Sequence, residues 1–173
     1  GYPCIVTAVD RYLTVTLEFG DGSDDEIITG DVSDQRFIKE AVRQFKQQFQ
    51  IKKNIKLKTN SDLGNYGLGS SAATVVATTK ALSVMFQKQL TEAQLFDLCF
   101  QVILSVQKIA SGFDCAASIY GGTLYFDGKT KEVIPILQTA LPLLVVFSGA
   151  KADTVSMVKL IRQKRENYKK GID

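Results

Sequence analysis

Two stretches of the chain combine residue types that do chemistry. The first is Gly67-Leu68-Gly69-Ser70-Ser71-Ala72-Ala73, set between a polar run, Ser61 to Tyr66, and Thr74 to Leu82, which is free of Gly and Pro. It reads as a turn feeding into a buried helix. The first turn of a helix leaves N–H donors unpaired at the positive end of the helix dipole, so an anion docks there when no side chain intrudes. Gly67 and Gly69 remove Cβ where a phosphate must approach the backbone. Ser70 and Ser71 bring hydroxyls that cap the helix, bind phosphate oxygen, or coordinate a metal bridging phosphates. A serine-capped helix after a glycine turn is the plainer reading. The stretch is neither a Walker A loop nor a Gly-x-Gly-x-x-Gly turn.

The second stretch is Ser111-Gly112-Phe113-Asp114-Cys115-Ala116-Ala117-Ser118-Ile119-Tyr120-Gly121-Gly122. A turn at Ser111-Gly112 delivers Asp114 onto a run of small residues. On local pattern alone Asp114 reads as a helix N-cap. The alternative is a carboxylate on a shielded turn, which orients a hydroxyl and accepts its proton. The chain has no His, so Ser-His-Asp and Cys-His catalysis are excluded and any proton acceptor is Asp, Glu or Lys. Cys4, Cys99 and Cys115 are odd in number, widely spaced and in apolar surroundings; they read as buried reduced thiols, not a zinc site or a disulfide framework. A net charge of +3 is too small to argue for nucleic acid or a membrane surface. No apolar run is long enough to span a bilayer.

The elements that must position these groups follow from periodicity. Residues 1–19 read as strands, with Leu13, Val15, Leu17 and Phe19 on one face. Gly20 to Asp25 is an acidic turn, read as a solvated hairpin loop leading to a short return strand at Ile27-Ile28. Residues 34–50 form an amphipathic helix on Phe37, Ile38, Ala41, Val42, Phe45 and Phe49, with Lys39, Arg43 and Lys46 facing solvent. Ile51 to Thr59 is a half-exposed strand entering the glycine loop. Residues 71–87 form the buried helix, and Thr91 caps the next. Thr123 to Phe126 and Lys131 to Ile136 form a hairpin across Asp127-Gly128. Pro142 to Phe147 reads as an apolar, central strand. A final helix begins near Val155 and grades into basic sequence by Lys170.

Residue for residue, Gly67 to Ala73 resembles the ATP-phosphate loop of the GHMP small-molecule kinases. Ser111 to Gly122 resembles their second signature, which places a carboxylate beside the substrate hydroxyl. The similarity runs from residue 1 to about residue 162. The resemblance implies an α+β fold of the ribosomal protein S5 domain 2-like type: a mixed sheet with helices on one face, forming the N-terminal lobe in residues 1–140. Residues 141–173 would begin a ferredoxin-like C-terminal domain, and the chain would be a lobe of a longer enzyme. The resemblance also implies ATP and Mg²⁺ as cofactors. Gly67, Leu68, Gly69, Ser70, Ser71 and Ala72 would wrap the ATP phosphates, and Ser71 would coordinate Mg²⁺. Asp114 would be the catalytic aspartate facing the acceptor hydroxyl. Thr154 would be brought towards the substrate, although a plain helix cap explains it equally well.

The implied reaction is ATP-dependent phosphoryl transfer to a small-molecule hydroxyl, with mevalonate the first choice of acceptor and phosphomevalonate or a sugar the alternatives. A non-catalytic nucleotide-binding module derived from such a kinase is the reading from another class. The implied partner is a small molecule, not nucleic acid or a membrane. The implied location is cytoplasmic, with a homodimer as a possible assembly. The sequence departs from the family pattern at Gln101-Val102-Ile103-Leu104, where an acidic Mg²⁺ ligand is common. It also offers no candidate for the family's lysine near the catalytic Asp, no Pro-Pro-Gly-Ala before Gly67, and no Gly-rich third signature.

Overall fold

Alternation builds the strands, and one strand carries the glycine loop. In β4 (Ile55–Ser61), Ile55, Leu57 and Thr59 are buried while Lys56 and Lys58 face solvent. The computed structural model describes residues 3–30, 34–64, 66–139, 141–149 and 154–168. β4 is central in a mixed three-stranded sheet. It pairs antiparallel with β2 (Leu13–Phe19), from Leu13↔Ser61 to Phe19↔Ile55, and parallel with β3 (Glu26–Thr29). The acidic turn therefore does not close a hairpin, because β4 lies between β2 and β3. The reason is the helix between β3 and β4, α1 (Arg36–Phe49): a parallel pair needs such a crossover, and α1 supplies it. Lys56 lies opposite both Glu18 and Glu26 and pairs with Glu26 at 3.4 Å.

A second, antiparallel sheet has the order β1 (Pro3–Thr7), β5 (Thr123–Asp127), β6 (Glu132–Leu137). The β5–β6 hairpin turns where expected, with Asp127 Oδ1 accepting from the Lys129 N–H at 2.7 Å. Between the sheets' inner faces pack α1, α2 (Ser70–Met85), α3 (Glu92–Gln107) and α4 (Phe113–Tyr120). One cluster joins Phe37, Val75, Phe96, Cys99, Val102, Cys115, Leu124 and Phe126. The other joins Ile38, Val42, Phe45, Ile55, Leu57, Leu82 and Leu98. Each such large side chain contributes about 1.5–3 kcal/mol when fully buried. Helices thus cover one face of the mixed sheet, as the α+β reading requires.

The stretch 141–148 is not a strand. A strand's backbone groups need a partner, and no described strand pairs with this run. Its apolar side chains are exposed instead, Leu144 at 90% and Val146 at 81%. The last helix, α5 (Thr154–Tyr168), starts close to its expected position. Among the described residues no helix is long and apolar enough to cross a membrane.

Candidate functional site

The glycine loop enters α2 without a side-chain cap. Gly69 is the N-cap, in the left-handed region at φ 77°, and no side chain bonds the first turn. The serine-capped reading therefore fails: Ser70 is already helical, and a left-handed cap at this φ selects glycine. Ala73 N–H donates to the Gly69 carbonyl at 3.0 Å, while the earlier amides of the turn have no intrahelical acceptor. Gly67 is also left-handed, φ 79°, and a Cβ built there would meet nothing within 4 Å. The loop thus presents bare backbone, open space and donors without an intrahelical acceptor together. Behind it Ala72 is buried, and the Thr74 hydroxyl turns inward to the Ser70 carbonyl at 2.8 Å. Leu68, Ser70 and Ser71 are half-buried around the opening.

A second helix start lies beside the first. Gly112 caps α4 at φ 89°, again without a side-chain bond. A Cβ at Gly112 would lie 3.1–3.3 Å from the rings of Phe96, Phe126 and Phe100, so packing as well as φ selects glycine here. Asp114 is consequently not the N-cap. It is the second residue of α4, in the first turn, where the dipole favours a carboxylate. A Cβ on Gly69 would stand 3.7 Å from Asp114 Oδ1, so the acid faces the glycine loop directly. The two sequence-selected stretches, far apart in the chain, meet at one place.

Asp114 is open to solvent on one side. The protein around it still removes enough water to raise its pKa above the ordinary aspartate value. Its charge is felt by Cys4 on β1, a half-buried thiol whose pKa rises through burial first and Asp114 second. Cys99 is pushed up to about 12 by burial, so it stays a protonated thiol. The three cysteines are free. Cys4 was not marked by the sequence reading as a neighbour of the acid. Only the antiparallel pairing of β1 with β5, Cys4 opposite Phe126, brings it there.

Two further residues frame the loop. The Tyr66 ring lies over Gly64: a Cβ at Gly64 would be 2.3 Å from Tyr66 Cε2. The same ring packs edge-on against Phe147 at 5.4 Å between centroids. A glycine two residues before an aromatic was the available signal. Thr154 is the first residue of α5, and its side chain lies outside the described residues. Gln101, where the resemblance would want an acid, is exposed. Among the described residues no group of three or more His, Cys, Asp or Glu side chains could hold a metal ion. Nucleotide phosphates fit the open glycine cradle; Mg²⁺ would have to be held by phosphate oxygens together with Ser71.

Comparison with known proteins gives the chain's relatives. The mevalonate kinase of Thermococcus sibiricus is 28% identical over an alignment that takes in 100% of this chain and 59% of the relative. The crystal structure of L. major mevalonate kinase in complex with R-mevalonate superposes with a TM-score of 0.75 at 22% identity, covering 96% of this chain and 56% of that one. Streptococcus pneumoniae phosphomevalonate kinase in complex with phosphomevalonate and AMPPNP gives a TM-score of 0.62 at 18% identity, covering 75% and 45%. The chain spans about half the length of these proteins. A model described as "GHMP kinases N terminal domain" matches residues 36–122, half of the 173, and takes in both the glycine loop and Asp114. The chain belongs to the GHMP kinase family, through its N-terminal domain.

Proposed function

We propose that this chain is the nucleotide-binding lobe of a kinase that transfers the γ-phosphoryl group of ATP to the hydroxyl of mevalonate. The observation that carries the proposal is the approach of Asp114 to the backbone of Gly69, with the uncapped start of α2 beside it. Phosphoryl transfer asks a protein mostly for positioning and charge stabilisation. The first-turn amides of α2 and the bare backbone of Gly67 and Gly69 would receive phosphate oxygens. The Ser71 hydroxyl would add one ligand to Mg²⁺. ATP supplies the transferable phosphoryl group, and Mg²⁺ neutralises its charge. Asp114 would align the acceptor hydroxyl and take up its proton, a role for which a raised pKa is an advantage near neutral pH. Thr154 would be the residue of the second part brought towards the acceptor.

In this reading residues 1–140 form the nucleotide lobe and residues 141–173 begin a second domain, and the exposed run at 141–147 belongs to that second part. Three protonated thiols fit a cytoplasmic setting. Mevalonate is favoured as acceptor by the relatives of this name, with phosphomevalonate next. The lobe by itself should turn over poorly or not at all, so the experiment is mevalonate-dependent ADP release by the full-length kinase that contains it, compared with Asp114→Asn. The variant should lose about 10²–10⁴-fold in kcat while keeping nucleotide affinity. Equal rates in the two proteins would remove Asp114 from the mechanism.

A second reading is a nucleotide-binding module without chemistry. It is favoured by the missing acid near Gln101 and by the lack of a metal-holding cluster among the described residues. Tight ATP binding with no turnover on mevalonate, phosphomevalonate or sugars would select it.

A further inference from the structure

The connection between β4 and α2 is anchored at both ends and soft in its middle. At its start Leu63 is buried, and its N–H donates to Ser61 Oγ at 3.2 Å. The Asp62 N–H donates to the Tyr12 carbonyl at 3.1 Å. At its end Gly69 is built into the first turn of α2. Between these anchors Gly64 and Gly67 are both left-handed, at φ 56° and 79°, and glycines so placed leave the backbone many other paths. Among the described residues no hydrogen bond holds Gly64, Tyr66, Gly67 or Leu68. Side-chain packing must therefore fix the path on which Gly67 and Gly69 present bare backbone.

The Tyr66 ring supplies that packing. It lies against Gly64, where any Cβ would collide with Cε2 and Cδ2, so its seat exists only over glycine. It also meets Phe147 edge-on, with 5.4 Å between centroids and 74° between planes, the arrangement that two aromatic quadrupoles favour. Phe147 belongs to the run 141–147, whose other apolar side chains are exposed. It is a point at which that run turns a side chain onto the lobe. Tyr66 directly precedes Gly67, so a displaced ring carries with it the peptide that faces the opening.

We propose that Phe147 is a positioning residue for the nucleotide: acting through Tyr66, it holds the glycine loop in the open form that receives phosphates. The inference rests on the reading of that loop as an ATP cradle, and adds to it a residue far along the chain that belongs to neither signature stretch. Its physical basis is preorganisation, since a loop already on its bound path loses less freedom when the ligand arrives. Neither ring has to touch the nucleotide. The contact also makes nucleotide affinity answer to the run that leads into the second part of the chain.

The test uses the full-length kinase that contains the lobe, with Phe147→Ala, Tyr66→Ala, Tyr66→Phe and the double alanine variant. Loss of the edge-to-face pair in Phe147→Ala should raise the dissociation constant for ATP, read by calorimetry, about two- to tenfold. Affinity for inorganic tripolyphosphate should weaken by the same factor, because the loop meets phosphates and not the base. Tyr66→Phe keeps the ring and should keep the affinity. Beside Tyr66→Ala, Phe147→Ala should add nothing, because the intermediary is gone. Without nucleotide, amide exchange at 64–69 should quicken in Phe147→Ala while Ile55 to Thr59 stay unmoved, which a general loss of stability would not produce. Unchanged ATP affinity, an effect of Phe147→Ala undiminished beside Tyr66→Ala, or faster exchange spreading through β4 would overturn the proposal. So would a loss confined to Tyr66→Ala, which would make Tyr66 a direct nucleotide contact. An unaltered kinase that binds no ATP would overturn the reading of the loop and this inference together. One that binds ATP with no regard to Phe147 would overturn the positioning role alone.

Discussion

Two helix starts in this molecule are built in opposite ways. At α3, Thr91 Oγ1 accepts from the Gln94 N–H at 3.2 Å, and Gln94 Oε1 accepts from the Thr91 N–H at 3.0 Å. The chain satisfies its own donors there, and the end is closed. At α2 the corresponding position is a left-handed glycine with no side-chain bond. The first start spends its donors on folding. The second leaves them unspent, beside Asp114, and accepts the cost in local stability.

The contrast breaks most visibly at the acid. Asp114→Asn should abolish most turnover, as stated above, and should also raise the midpoint of thermal unfolding at neutral pH. Because the pKa of Asp114 is raised in the fold, the folded chain holds that proton more tightly than the unfolded one. The resulting stability is fully present below the unfolded pKa and is lost as pH rises through the folded value. An amide at this position escapes that loss, so the variant's advantage in Tm should vanish on acidification. A Tm lower than that of the unaltered chain at pH 7 would contradict the desolvated environment.

Next in size is Gly69→Val, which strains the left-handed cap and fills the space in front of Asp114. It should cost about 1–2 kcal/mol of stability and lower ATP affinity by more than about tenfold, read by calorimetry. Gly112→Ala meets three phenyl rings and a left-handed φ, so a loss of about 1–3 kcal/mol is expected by denaturant titration. The smallest change sharpens the comparison from the closed side. Thr91→Ala should lose about 1 kcal/mol of stability while ATP affinity stays unchanged. A fall in affinity there would mean that the two helix starts are not independent.

Much of this was legible in the chain because the signals were local. Helical spacing gave α1, alternation gave β4, and Thr91 with Gln94 gave the closed cap. The glycine loop and Asp114 were legible as separate signatures; their meeting was an inference carried by resemblance, and in the fold Asp114 Oδ1 lies 3.7 Å from where a Cβ on Gly69 would stand. What failed was non-local. No turn signal after β2 reveals that β4 takes the place beside it. The apolar composition of 142–147 named a strand, but apolar residues do not provide a neighbouring ladder. Local pattern alone read Asp114 as a cap, because the crowding of Gly112 by Phe96, Phe100 and Phe126 comes from elements far away in sequence.

The position of β4 has a consequence for motion. Its backbone is bonded on both edges from Lys56 to Thr59, and the polar loop leaves directly from its end. Amide exchange should therefore be slowest in Ile55 to Thr59 and rise abruptly within a few residues of Ser61. The glycine loop is therefore tethered to the part of its sheet expected to open most slowly, a mobile lever on a fixed base.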